Sequence, residues 1–287
     1  MKKFFKSPIL LIFLALLISG LMISGVNAQE SATKQPIPTR VAPQAKVSGK
    51  DVPEVPLADS RIKFDHAEYN FGNVPPKTKV THEFPVRNDG VDTLVITKVK
   101  AGCGCTTSKA TGTVIPPGAT SYVDLTYRSS STTKYVGVQT KKAKIYSNDS
   151  TNPMTEIAIK ASINNPDAKL SVDPAIADMG DIKIGDRGKM TVNLTNTDSV
   201  NAELVVVCEP SNKVVKKYKL HDDKLKPGET TTIDFEIQKD LSPGDFLATM
   251  TLEDKNNSKS KFSIPITGKI VEQIKAESET PKTVGAK

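Results

Sequence analysis

The chain has no tryptophan, and its 287 residues include only three histidines, three cysteines and 5% aromatics. These shortages exclude several functions. Nucleic-acid binding asks for a basic stripe interleaved with aromatics, or a known module, and neither occurs. No Ser/His/Asp spacing and no glycine-rich phosphate cradle is present either. Asp65, Glu68, Asp173 and Asp181 fall in turns or strand ends, where carboxylates serve as solvated caps. Catalysis is not expected. The formal charge of +7 falls to +4 once Lys2, Lys3 and Lys6 are assigned to a leader, which describes a mildly basic surface.

That leader is residues 1–28. Lys2, Lys3 and Lys6 form its charged start, Ile9 to Ile18 is unbroken apolar sequence, and Val26-Asn27-Ala28 supplies small residues before a cut. An exported protein is expected, soluble in the periplasm, secreted or at the cell surface. A membrane enters only if the segment stays uncleaved, since the apolar stretch to Val26 is near the lower limit for a span. No cysteine lies near the cleavage site to carry a lipid. Residues 29–59 hold five prolines, no aromatic and no apolar period, and read as a disordered, partly extended spacer.

Beyond residue 60 no stretch of twelve residues keeps a helical apolar face. Period two appears instead. Val80, His82, Phe84 and Val86 alternate with polar neighbours, as do Val123, Leu125 and Tyr127, with turn chemistry at Asn88-Asp89-Gly90 and Ile115-Pro116-Pro117-Gly118. Short strands with frequent turns predict an antiparallel β-sandwich, because each sheet has one apolar face to cover. The pattern then repeats. Phe71-Gly72 and Met179-Gly180 are 108 residues apart, as are Val74 and Ile182, Val86 and Leu194, and Asn88 and Asn196, with Pro117-Gly118 and Pro227-Gly228 at 110. Two tandem copies follow, residues 60–164 and 167–271, with Asn165-Pro166 as a hinge and 272–287 as a disordered tail.

In order, Phe71-Gly72-Asn73-Val74, Asn88-Asp89-Gly90, Leu94-Val95-Ile96, Cys103-Gly104-Cys105-Thr106, Ile115-Pro116-Pro117-Gly118 and Ser147-Asn148-Asp149 make the first copy resemble the exported bacterial domain of unknown function 1573. The resemblance implies an immunoglobulin-like sandwich and an export route, but no activity. The second copy resembles the family only through its spaced glycines, Asn196 and Pro227-Gly228, and it has no Cys-Gly-Cys.

Cys103 and Cys105 are the one place where chemistry is plausible. Residues two apart on a strand have Cα atoms about 6.6 Å apart, at the long end of the disulfide range of about 4.4 to 6.8 Å. Gly104 lets the chain tighten, so one outcome is a bond, as a loop clasp or a redox couple. The other is two thiolates offered to Cu(I) or Zn, with too few sulfurs for a closed zinc site. His82 points inward and is expected to be a core histidine bonded to a backbone carbonyl. His66 and His221 look isolated in polar turns, and Cys208 reads as a small buried side chain. Lysines 141, 142 and 144, and 213, 216, 217 and 219, either form solvated strand faces or meet anionic surface polymers or lipid headgroups. The sum is a non-enzymatic binding or structural module of the cell envelope, without cofactor, presenting its domains to a protein or surface-polymer partner. The alternative is a thiol-based metal carrier (copper or zinc) or redox protein using Cys103 and Cys105.

Overall fold

Alternation decides which way each strand faces. A computed structural model describes residues 55–272, and in it Val80, His82, Phe84 and Val86 are buried while Thr81, Glu83, Pro85 and Arg87 stay partly or wholly exposed. The leader at 1–28, residues 29–54 of the spacer and the tail from 273 lie outside the described residues, whereas residues 55–59, expected in the disordered spacer, are held to the first sandwich, Ala58 N–H donating to the Asn148 carbonyl (2.8 Å).

The first half forms β1 (Ile62–Phe64), β2 (Glu68–Val74), β3 (Lys79–Asn88), β4 (Leu94–Ala101), β5 (Thr106–Ala110), β6 (Val114–Ile115), β7 (Thr120–Arg128), β8 (Val136–Ser147) and β9 (Met154–Ile163). One sheet has the order β1-β3-β7-β5, and the facing sheet runs β2-β9-β8-β4-β6. Phe71, Phe84, Leu94, Leu125, Ile145 and Ile157 fill the space between them. Burying each such side chain stabilises the fold by about 1.5 to 3 kcal/mol, and no polar group interrupts the layer at these positions.

The second half repeats the scheme with β10 (Leu170–Asp173), β11 (Ala177–Lys183), β12 (Lys189–Asn196), β13 (Ala202–Cys208), β14 (Val215–Leu220), β15 (Lys224–Leu225), β16 (Thr230–Ile237), β17 (Gly244–Asp254) and β18 (Asn257–Val271). Here β10-β12-β16-β14 faces β15-β13-β17-β18, and β11 lies along β18 in parallel, as β2 lies along β9. A second core gathers Val192, Leu194, Ile233, Phe235, Met250 and Ile264. The protein is all-β, two immunoglobulin-like sandwiches in tandem.

The repeat extends to individual hydrogen bonds. Asn88 Nδ2 donates to the carbonyls of Asp92 (2.7 Å) and Ile115 (2.9 Å), and Asn196 Nδ2 donates to those of Val200 (2.8 Å) and Leu225 (3.1 Å). In both halves the Pro-Gly turn closes on the same asparagine, Gly118 N–H on the Asn88 carbonyl and Gly228 N–H on the Asn196 carbonyl, each at 2.8 Å.

The connection at Asn165-Pro166, expected as a hinge, is bonded to the first sandwich. Asn165 N–H donates to Asn73 Oδ1 (3.0 Å), and Phe262 of β18 pairs with Asn73 of β2, so two sheets join into one of ten strands. Ser263 Oγ donates to the Phe71 carbonyl (2.7 Å), and Thr81 N–H donates to Thr249 Oγ1 (2.9 Å). Gly72 makes this approach possible. Its φ is +67°, and a Cβ there would overlap the Lys261 carbonyl. Gly72→Val is therefore expected to destabilise the protein by more than about 2 kcal/mol, read as a lower urea midpoint. An unchanged midpoint would show that the junction contributes little.

Candidate functional site

The Cys-Gly-Cys segment sits where the chain changes sheets. β4 belongs to the ten-stranded sheet and β5 to the opposite one, so residues 102–105 turn the corner at one end of the first sandwich. Thr106 N–H donates to the Cys103 carbonyl (3.2 Å) and closes a four-residue turn. Exposed glycines flank Cys103, and around Gly104 the space is open. Within the turn Cys103 and Cys105 are joined by a disulfide, with their Cα atoms drawn to 5.4 Å.

Both cysteines are half-buried, but they look out on different spaces. Cys105 borders a cleft of 860 Å³ between the two sandwiches. Lys77, Lys79 and Arg128 stand on the cysteine's side of it, and Asp178, Asp181 and Asp245 come from the second sandwich. Cys103 borders a 540 Å³ hollow lined by Lys100, Lys142, Lys144, Tyr146 and Glu156 on the outer face of the sheet. Behind the bond, Thr106 is 4% exposed. Its Oγ1 lies 3.3 Å from Cys103 Sγ and 3.8 Å from Cys105 Sγ. Bonded sulfurs carry no hydrogen, so the hydroxyl is the donor.

The lysine face follows from register. Lys98 and Lys100 are exposed on β4, and Lys100 lies directly opposite Lys144 of β8. Glu156 of β9 is across from Lys144, but its carboxylate is taken by Lys142 at 2.6 Å. Among the described residues no carboxylate comes within ion-pair distance of Lys98, Lys100 or Lys144. Like charges directly opposed on a sheet cost a few tenths of a kcal/mol to about 1 kcal/mol.

The histidines depart from expectation. His82 does not bond a backbone carbonyl. Its Nε2 lies 2.7 Å from His66 Nε2, and its ring stacks on Tyr69 with centroids 3.5 Å apart. His66 is therefore not isolated, because the chain between β1 and β2 folds back over β3. His221 is not isolated either, its Nε2 lying 2.8 Å from Asp234 Oδ2. Cys208 is half-buried rather than buried, with Sγ 3.7 Å from His82 Nδ1. Burial and the neighbouring His66 charge push His82 down to about 3. Burial pushes the Cys208 thiol up, which favours its protonated form. The buried Tyr69 hydroxyl is held well above its ordinary range by burial.

Beside this cluster the second sandwich docks on Glu83, whose carboxylate accepts from Ser211 Oγ (3.1 Å) and Lys213 Nζ (2.7 Å). These residues follow β13, as the Cys-Gly-Cys turn follows β4. One copy thus uses this loop for docking, while the other leaves it facing a cleft. Asp124 is opposite Glu83 in the β3–β7 ladder, and burial together with the Glu83 charge raises its carboxyl to about 6. The lysines at 213, 216 and 217 are partly committed, the first to Glu83 and the other two to the buried Glu236.

Among the described residues no three His, Cys, Asp or Glu side chains come together as ligands for a cation. While bonded, Cys103 and Cys105 have no thiolate for copper or zinc, so the metal reading concerns only the reduced pair. Sequence reasoning missed two features of the site. One is the Thr106 hydroxyl, present in the motif but silent about its direction. The other is the pairing of Lys100 with Lys144, signalled only by the period-two spacing of the lysines on each strand.

Residues 62–163 match the family described as Protein of unknown function (DUF1573). No curated protein matches the chain. Among solved structures it is similar to a protein of unknown function from Porphyromonas gingivalis W83, at 12% identity and TM-score 0.31, over 73% of this chain and 99% of that one. It is also similar to a structure titled "Tandem Ig repeats of Dlar" (10% identity, TM-score 0.39, 75% and 100% coverage). A third is the secreted serine protease VesC from Vibrio cholerae (11%, 0.29), with 62% of this chain and 46% of that chain covered.

Proposed function

We propose that this protein is an exported, non-enzymatic binding module of the bacterial cell envelope that holds an anionic surface polymer on the lysine face of its first sandwich. One observation carries the reading: Lys100 and Lys144 are directly opposed, with Lys98 and Lys142 beside them and Glu156 the single carboxylate lining the hollow. A sheet face that repels itself when empty is relieved by a polyanion. The hollow is concave and edged by Tyr146 rather than by a patch of apolar residues, which suits a chain of acidic sugars better than a lipid surface. The leader at 1–28 and the proline-rich spacer support the location, since they would carry the sandwiches out of the cell and hold them away from the point of attachment.

The test is binding of the intact chain to polygalacturonate, with neutral dextran and anionic lipid vesicles as comparisons. Lys100→Gln with Lys144→Gln is expected to weaken polygalacturonate binding about tenfold, and added salt is expected to weaken wild-type binding. Removing the like-charge pair leaves the fold at least as stable, so loss of binding reads out the site itself. Equal binding to dextran, no effect of the double change, or a preference for vesicles would overturn the proposal.

A second reading, redox chemistry of the Cys103–Cys105 pair, is favoured by the disulfide itself. Its ring spans a sequence separation of 2, and closing so short a loop removes little entropy from the unfolded chain. β4 and β5 are meanwhile held by their own ladders to β8 and β7. These ladders favour a redox role over a clasp.

A further inference from the structure

We infer that the Cys103–Cys105 disulfide is a thiol-exchange site that oxidises dithiols on an extended polypeptide laid in the cleft between the sandwiches, with Cys105 as the sulfur attacked and Thr106 as the positioning residue for the thiolate that leaves. This rests on the redox reading of the pair and names its direction, its substrate class and its parts.

Access selects the attacked sulfur. Cys105 lines the 860 Å³ cleft, which has room for a peptide segment and is lined by Lys77, Lys79 and Arg128 of the first sandwich and by Asp178, Asp181, Asp245 and Lys269 of the second. Cys103 is on the far side of the turn, in the hollow with Lys100, Lys142 and Lys144. A partner thiolate approaching through the cleft forms a bond to Cys105 Sγ. The Cys103–Cys105 bond breaks, and its electron pair stays on Cys103 Sγ. That sulfur already has the buried Thr106 hydroxyl at 3.3 Å, ready to donate, and its residue lines the same hollow as Lys100, Lys142 and Lys144. The second partner thiolate then attacks the partner's own sulfur in the mixed disulfide and releases Cys105. In balance, two electrons pass from the partner dithiol to the pair, the two thiol protons end on Cys103 and Cys105, and the partner leaves as a disulfide. The exchange is stoichiometric, one partner disulfide formed for each Cys103–Cys105 bond consumed.

The direction follows from the surroundings. A hydrogen-bond donor and cations favour thiolate over thiol, which speeds departure of Cys103 and stabilises the reduced form, and a couple whose reduced form is stabilised is an oxidant. Nothing in the backbone opposes opening. The turn is closed by Thr106 N–H to the Cys103 carbonyl (3.2 Å), and Arg128 N–H donates to the Cys105 carbonyl (2.9 Å), both independent of the sulfurs.

The experiment equilibrates the full chain with mixtures of reduced and oxidised glutathione, alkylates free thiols and reads the species by mass. The pair is expected to be largely reduced even where most of the glutathione is oxidised, and the trapped glutathione adduct is expected to map to Cys105. Thr106→Val is expected to shift the equilibrium about tenfold toward the disulfide, and Thr106→Ser, which keeps the hydroxyl, is expected to restore it. An unstructured peptide with two cysteines is expected to be oxidised by one equivalent of protein at least about tenfold faster than by glutathione disulfide at the same concentration, and not at all by the Cys103→Ser, Cys105→Ser double variant. A pair that stays oxidised across the whole glutathione range would remove the redox reading altogether. A reversible couple that Thr106→Val leaves unmoved, whose adduct maps to Cys103, or that fails to oxidise the peptide would overturn this inference while leaving the redox reading in place.

Discussion

Asn88→Ala is expected to cost about 3 to 5 kcal/mol of stability, seen as a fall in melting temperature on the order of 10 °C. The side chain is fully buried, and all four of its hydrogen-bonding positions are used. Oδ1 accepts from the N–H groups of Arg61 (3.2 Å) and Gly90 (2.9 Å), while Nδ2 donates to the carbonyls of Asp92 and Ile115. One side chain therefore ties together the strand that opens the sandwich, the turn after β3 and the turn before β7. Alanine leaves two donors and two acceptors without partners and adds a small cavity. Asn196 holds the same place in the second sandwich but has three bonds, accepting from Asp198 N–H (2.9 Å) and donating to Val200 and Leu225. Asn196→Ala is expected to cost less. Equal, small effects for both variants would mean that water replaces these bonds without penalty.

The second large effect is a pair of opposed acid responses at the contact between the sandwiches. His82 has its pKa lowered by burial to about 3, so the unfolded state binds the proton first and stability is lost as pH falls below 6.5. Asp124 has its pKa raised by burial to about 6, so the folded state binds the proton first. Its contribution is present at low pH and is lost as pH rises through 6. Between pH 6 and pH 4 each group changes stability by about 2 to 3 kcal/mol, in opposite directions. The wild-type slope is expected to be shallow. Asp124→Asn removes one partner, so stability is expected to fall by about that amount on going from pH 6 to pH 4 relative to wild type. His82→Gln removes the other and reverses the sign of the difference. Denaturant midpoints at the two pH values read both, and the comparison of slopes separates titration from any general weakening by the substitution. Slopes matching wild type in both variants would mean that neither group titrates abnormally.

Strand identity was legible because it is a local property. Val123, Leu125 and Tyr127 are apolar at every second position, and that alone orients a strand against one buried face. The candidate site was legible only in its covalent part. Cys103, Gly104 and Cys105 announce themselves by spacing, but the direction of the Thr106 hydroxyl depends on how β5 leaves the turn. The partners of Lys100 depend on the register of β8, some forty residues along. The error at His82 has the same origin. A period-two pattern says that the ring points inward and is silent about what meets it, and the nearest polar group was assumed to be backbone. In the fold, a loop sixteen residues earlier brings His66 to it instead.

The amino-acid order by itself determined the all-β character, the apolar face of each strand, the turn positions and the internal repetition marked by Asn88 and Asn196, because each is set by steric preference and solvent exposure over a few residues. Only the tertiary structure decided that β18 meets β2 edge to edge, that Glu83 receives Ser211 and Lys213, and that the disulfide turn lies between a cleft and a cationic hollow. These contacts join residues far apart in the chain. Their geometry is set by strand register and sheet packing, which sum over the whole core and leave no mark on any one segment.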